Sequence, residues 1–234
     1  MKKEVKILGA GISGLVCGIT LARAGYKVTI YEKNKSCGKR FNNDFQGIEN
    51  WSTKKDIVDI LKEIGIKINF LCKPQYTVKM YDKKLKCATV RTGNPIFYLV
   101  KRGTDKQSLD TGLKKQAIKA GVKIKFNKTI NKEKCDVIAT GPTCADAIAK
   151  GITFETSLPN MNVIILNDEL APKGYVYFFI NNKKGILAIC IFRHFNKEKE
   201  YFDKALNQIK KMYDCDFRNI KEFGGYGNFF IEKN

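Results

Sequence analysis

The stretch Val5-Lys6-Ile7-Leu8-Gly9-Ala10-Gly11-Ile12-Ser13-Gly14 decides the fold. A short apolar run ends in GxGxxG, and Ile12, Leu15, Val16, Ile19 and Ala22 continue at helical spacing to a stop at Gly25. Lys27 to Tyr31, rich in β-branched and aromatic residues, predicts a second strand closing on Glu32. Strand, tight turn, helix, strand and terminal carboxylate together form the context that a dinucleotide-binding βαβ unit requires. Each glycine has its own physical reason. Gly9 makes the turn, Gly11 lets a pyrophosphate approach the backbone, and Gly14 lets helix pack on strand. The N–H groups around Ala10, Ile12 and Ser13 and the positive end of the helix dipole would hold the phosphates, and Glu32 would accept hydrogen bonds from a ribose.

Outward from this unit the periodicity changes repeatedly. Residues 33–51 are polar and turn-rich and read as a long loop, a feature that in compact domains is usually functional. Ser52 or Thr53 can cap a helix striped by Ile57, Val58, Ile60, Leu61 and Ile64. Between 66 and 102 the pattern is that of strands with short turns (66–71, 76–81, 85–91 and 96–100), which suggests an antiparallel sheet. A helix over 105–120 follows, then apolar runs at 122–126 and 135–139 that fit the first, parallel sheet. Further strands at 152–155, 161–166, 175–180 and 185–192 precede a helix from about 197 to 212. The expected fold is therefore α/β: a Rossmann-like FAD/NAD(P)-binding domain with a parallel sheet, interleaved with an antiparallel β-sheet substrate domain. The nucleotide-binding part takes 1–65 and 103–150, and the substrate part takes 66–102 and 152–193. Residues 194–234 supply a C-terminal helix and a Gly-rich end.

Composition narrows the function classes. The 234 residues are 44% hydrophobic and 28% charged, which fits a soluble globular protein, and the chain is long enough to bury a core. No run of about 18 apolar residues exists, and the residues after Lys2 and Lys3 do not read as a secretory signal, so a cytoplasmic location is expected. Eight cysteines without close pairs and one histidine, His194, argue against a metal site. The net charge of +20 attracts polyanions, yet the basic residues are scattered in runs of two. Peripheral contact with an anionic membrane stays open, while nucleic-acid binding, lacking any module, is disfavoured.

The way the chain leaves the first sheet after Glu32 and returns at Cys135-Asp136-Val137-Ile138-Ala139-Thr140-Gly141-Pro142 resembles a flavoprotein family. That family includes p-hydroxybenzoate hydroxylase and, more closely, the geranylgeranyl reductases and their archaeal relatives. Its strand ending in Ala-Thr-Gly is similar to Ala139-Thr140-Gly141. Val100-Lys101-Arg102 with Leu109, Leu113, Gln116, Ala117 and Gly121 looks like its arginine and following helix. Gly174-Tyr175-Val176-Tyr177-Phe178-Phe179 is similar to its substrate-side Gly-Tyr-x-Trp-x-Phe-Pro, with Tyr177 in place of Trp and Ile180 in place of Pro. The resemblance implies FAD as cofactor, a nicotinamide or another reductant as electron donor, and reduction of carbon–carbon double bonds in an isoprenoid or other lipid.

It also implies FAD-binding roles for Gly9 to Gly14, for Glu32 with Lys33 beside it, and for Arg40, Arg102, Thr140 and Gly141. Gln46, Asn50 and Trp51 would lie near the flavin ring, although Trp51, the only Trp, reads more readily as core. Tyr175, Tyr177 and Phe179 alternate along one strand face and would either line an apolar substrate tunnel or form ordinary core. His194 is weighed as a proton donor and set aside, and no catalytic acid or base is assigned. The family's later Gly-Asp motif is not found before Gly224-Gly225-Tyr226-Gly227-Asn228-Phe229-Phe230, which suggests a shortened member. Two rivals remain: a flavin monooxygenase or dehydrogenase acting on a small substrate, and a non-catalytic dinucleotide-binding protein.

Overall fold

The computed structural model describes residues 3–142 and 144–228. Along the chain run β1 (Glu4–Leu8), α1 (Ile12–Arg23), β2 (Lys27–Glu32), β3 (Phe45–Glu49), α2 (Ile57–Glu63), β4 (Cys72–Gln75), β5 (Thr77–Tyr81), β6 (Cys87–Arg91) and β7 (Phe97–Lys101). There follow α3 (Leu109–Lys119), β8 (Lys123–Phe126), β9 (Val137–Ile138), β10 (Ala147–Glu155), β11 (Met161–Ile165), β12 (Tyr175–Asn181), β13 (Lys184–Ile191), α4 (Glu198–Met212) and β14 (Arg218–Gly227). Two compact units result: 1–75 with 95–141, and 76–94 with 142–234.

The first unit holds a four-stranded parallel sheet in the order β8-β2-β1-β9 and a three-stranded antiparallel sheet in the order β3-β7-β4. Val5, Ile7, Val28 and Ile30 alternate with polar residues and point to the face covered by α1, whose Leu15 and Ile19 are fully buried. Leu113 and Ala117 of α3 and Val100 of β7 complete this core. Helix α2 starts where its stripe does but later than a cap at Ser52 or Thr53 would set it, because Asp56 caps it, accepting from Val58 N–H at 2.8 Å.

The second unit is a seven-stranded sheet in the order β14-β10-β13-β12-β11-β5-β6. It is mixed rather than purely antiparallel, since β11 runs parallel to β5. Helix α4 covers one face, and Phe202, Ala205 and Ile209 meet Phe178, Leu187 and Ile189 there.

Several expected boundaries move. Residues 72–75 and 97–101, expected in the substrate part, lie in the first unit, where 97–101 pairs with 72–75 on one side and with 45–49 on the other. Residues 45–49, expected within the polar, turn-rich loop 33–51, form the strand β3. The run 66–71 forms no strand, and α4 with β14 belongs to the second unit, where β14 pairs along β10. Phe229 and Phe230 of the Gly-rich end lie outside the described residues.

Candidate dinucleotide site

The site is assembled where β1, β2 and β9 end side by side in the first unit. Gly9 takes φ +104°, and a Cβ there would lie 2.3 Å from the Ala139 carbonyl oxygen. Its N–H donates to Tyr31 O at 2.8 Å, while Ala139 N–H donates to Leu8 O at 2.7 Å. The turn is thus stitched to both neighbouring strands. A Cβ on Gly14 would lie 2.0 Å from the Gly9 carbonyl oxygen, so α1 begins hard against the turn.

Gly11 differs from both. A Cβ built on it meets nothing within 4 Å, so its glycine identity is not required by any contact inside the protein. Gly11 is also the N-cap of α1 and supplies no side-chain cap, and the first turn carries no acidic residue. Helices α2 and α3 have capping side chains, Asp56 and Ser108, and first-turn carboxylates, Asp59 and Asp110. The start of α1 therefore keeps its N–H groups and positive dipole end for an external anion, beside an open cradle at Gly11.

Glu32 is buried at the end of β2, and its carboxylate has an internal role that the sequence did not disclose. Its Oε2 accepts from Ala10 N–H at 2.8 Å, and its Oε1 accepts from both the backbone N–H and the side-chain amide of Asn34 at 2.8 Å. The same carboxylate that would meet a ribose thus fixes the glycine turn and the entry to the following loop. Lys33 is exposed beside it.

The loop after Asn34 is held by a buried cluster. Arg102 donates through Nε to Asp110 Oδ2 at 2.9 Å and through Nη2 to Asp110 Oδ1 at 3.1 Å, a two-pronged pair in which the aspartate side chain is only 1% exposed. Asp110 also accepts from Gly103 N–H at 2.9 Å. The guanidinium lies over the Phe41 ring, 3.9 Å from its centroid, and reaches Gln46 Oε1 at 3.4 Å. Gly38, at φ +70°, is pressed so close that a Cβ would meet Gly103 O and Asp110 Cβ. Cys37 is buried nearby, and burial pushes its thiol up to about 12.

Arg102 is therefore paired with Asp110 and holds the loop that carries Arg40. The signal that could have revealed this is Asp110 itself, an acid in the first turn of the helix that follows the arginine. Arg40 stands at the tip of the held loop, and a Cβ on Gly141 would lie 3.6 Å from its Nη1. Arg40, Thr140 and Gly141 thus lie at the β9 end of the glycine turn. Gln46 bonds Asp44 and Arg102, while Trp51 is 64% exposed rather than core. Asn50 braces the root of that segment through Asp56, Pro95 and Ile57.

In the second unit Tyr175, Tyr177 and Phe179 do share one face of β12, with successive ring centroids 6.1 and 5.4 Å apart. His194 is exposed, at φ +58°.

Comparison with known proteins agrees with this geometry. The model of an NAD(P)-binding Rossmann-like domain matches residues 7–48. Thiamine thiazole synthase of Pyrococcus furiosus is 32% identical over 102 residues, covering 43% of this chain and 40% of that protein. NADH-dependent glutamate synthase of Saccharomyces cerevisiae is 28% identical over 188 residues, covering 72% of this chain and 8% of that protein. The chain thus spans well under half the length of these sequence relatives.

Among solved structures, a geranylgeranyl bacteriochlorophyll reductase-like protein of Thermoplasma acidophilum superposes with a TM-score of 0.66 at 16% identity, covering 97% of this chain and 67% of that one. A flavin-dependent brominase gives 0.64 at 14% identity, with coverages of 96% and 67%. The enzyme CtdE, solved with FAD bound, gives 0.66 at 13%, with coverages of 96% and 69%. The fold is that of these proteins. Among the described residues no helix is long and apolar enough to cross a membrane.

Proposed function

We propose that this chain is an FAD-dependent oxidoreductase that reduces carbon–carbon double bonds of an isoprenoid or other lipid. The observation that carries the reading is the open backbone cradle at Gly11, set at an uncapped helix start and flanked by the buried carboxylate of Glu32. These residues fit FAD. The first turn of α1 would hold the pyrophosphate, Arg40 beside Gly141 would neutralise it, and Glu32 would take the adenosine ribose. When bound, the flavin supplies hydride transfer. The chain's own residues bind, orient and exclude water: Glu32 fixes the turn, and Asp110 through Arg102 holds the loop that carries Arg40.

The lipid substrate class is supported by the fold shared with a reductase-like protein over nearly the whole chain. The row Tyr175, Tyr177 and Phe179 supports it too, because stacked aromatic rings suit an apolar chain. Electrons would come from NAD(P)H or another reductant.

The test is reconstitution. Purified protein is mixed with FAD, passed through gel filtration and inspected for bound flavin absorbance, and the loaded protein is then assayed for reduction of an isoprenoid double bond. Retained flavin with bleaching on addition of reductant and saturation of the lipid is the expected result. A protein that holds no flavin at any concentration overturns the reading and leaves a non-catalytic nucleotide-binding role. Flavin retention with turnover only of small polar or aromatic substrates overturns the lipid assignment alone.

A further inference from the structure

The first unit contains 25 Lys and Arg against 11 Asp and Glu, a net of +14 of the chain's +20. Part of that excess is gathered on one face of the parallel sheet. In-register partners of parallel strands share a face, so the ladders give three rows on the side opposite α1: Glu4 and Lys27, then Lys6, Thr29 and Lys123, then Ile138, Leu8, Tyr31 and Lys125. Lys6, Lys123 and Lys125 are exposed, Ile138 is 52% exposed, and Lys125 Nζ lies 5.2 Å from the Tyr31 ring centroid.

Among the described residues, one connection within the parallel sheet crosses this face. The α1 crossover moves from β1 toward β2 on one side of the sheet. The 127–136 connection moves the opposite way, from β8 to β9, so right-handed crossing puts it on the other side. It adds Lys128, Lys132 and Lys134, all exposed, and only Glu133 and Asp136 in return. The one acid on the sheet rows, Glu4, is already paired with Lys27.

We infer that this face docks on an anionic lipid bilayer. Lysines on an edge strand such as β8 also discourage edge-to-edge pairing, but that need does not account for Lys6 on an inner strand or for the lysines of the crossover. Charge complementarity selects a polyanion. A bilayer is favoured because Ile138 and Tyr31 lie among the lysines, whose apolar stems and charged heads suit the headgroup boundary. The choice of a bilayer over a soluble polyanion also leans on the lipid substrate proposed above. Docking is nevertheless measured on protein without flavin or turnover, so either idea can fail without the other.

The experiment is co-sedimentation of the full chain with phosphatidylcholine vesicles that contain or lack phosphatidylserine. Binding is expected only with phosphatidylserine, and it should weaken as salt rises. Lys123→Glu with Lys125→Glu should lower vesicle affinity by about tenfold or more. Lys199→Glu with Lys204→Glu on α4, an equal change in net charge, should lower it far less. If the β8 variant fails to melt cooperatively, Lys132→Gln with Lys134→Gln on the crossover replaces it, with about a threefold loss expected. Three results overturn the inference: equal binding without phosphatidylserine, equal loss in both charge-reversed variants, or no vesicle binding. Binding to poly-L-glutamate without vesicle binding would overturn it in favour of a soluble acidic partner.

Discussion

Gly9 and Ala139, far apart in the chain, meet so closely that a methyl group on the first would sit 2.3 Å from the carbonyl oxygen of the second. The glycine turn is therefore a three-strand junction, and its glycines divide into those the fold needs and one, Gly11, that no contact inside the protein requires. Gly9→Ala places a Cβ against backbone at a φ of +104°, so it should destabilise the first unit by about 2–4 kcal/mol. Gly11→Ala meets open space and should leave stability within about 0.5 kcal/mol of the parent, yet abolish measurable FAD binding. Thermal melts and calorimetric titration with FAD separate the two; equal losses of stability would refute the division.

The Glu32 carboxylate, proposed above to meet a ribose, bonds both the glycine turn and the loop that follows. A glutamine at this position has a single oxygen, so its amide NH2 must face either the Ala10 N–H or the Asn34 donors. Glu32→Gln should cost about 1–3 kcal/mol of unfolding free energy even without nucleotide, because a buried donor loses its acceptor. It should also weaken binding of ADP, a probe that lacks the flavin, by at least about tenfold. Denaturant melts and ADP titration measure the two effects, and an unchanged melt would show that the Ala10 bond contributes nothing.

How much of this was legible in the sequence follows from how local each signal is. The βαβ unit from Val5 to Glu32 was readable because periodicity, turn chemistry and the terminal acid all act within a few residues of one another. The strand at 45–49 was not, since Gln46 and Gly47 break its alternation and only pairing with 97–101 creates it. Arg40, Thr140 and Gly141 could be brought together only through the family resemblance. The pairing of Arg102 with Asp110 was not legible, because a sequence shows an arginine but not its partner. Trp51 was expected inside because large aromatics usually are, but its loop is braced at the root by Asn50 and Asp56 and leaves the ring outside.

The Arg102–Asp110 pair offers a sharp double-variant test. Removing Asp110 strands the mostly buried guanidinium of Arg102, so Asp110→Ala should cost about 3–5 kcal/mol. Replacing both, as Arg102→Met with Asp110→Leu, removes the stranded charge and should cost less than either single change. Stability measured by urea unfolding gives these values. Loop 33–44 should also become a site of limited proteolysis in Asp110→Ala, whereas an uncleaved loop would show that other contacts hold it.

In the second unit, acid stability should depend on Asp216. Its Oδ1 accepts from Ser157 N–H at 2.8 Å, from the buried Thr156 hydroxyl at 2.7 Å and from Ser157 Oγ at 3.0 Å. Led by the Ser157 N–H bond, these contacts and nearby Arg218 hold its carboxyl at about 2, against an ordinary value of 3.8. The folded value is depressed, so the native state is favoured by the ionised form. That contribution is complete above about pH 4 and disappears as pH falls toward 2. Asp216→Asn keeps an oxygen for the same three donors but has no proton to gain. Its melting temperature should therefore lie below the parent's at pH 7, and the gap should close between about pH 4 and pH 2. Melting curves recorded across that window decide it: a gap that stays constant down to pH 2 would mean that the charge on Asp216 plays no part.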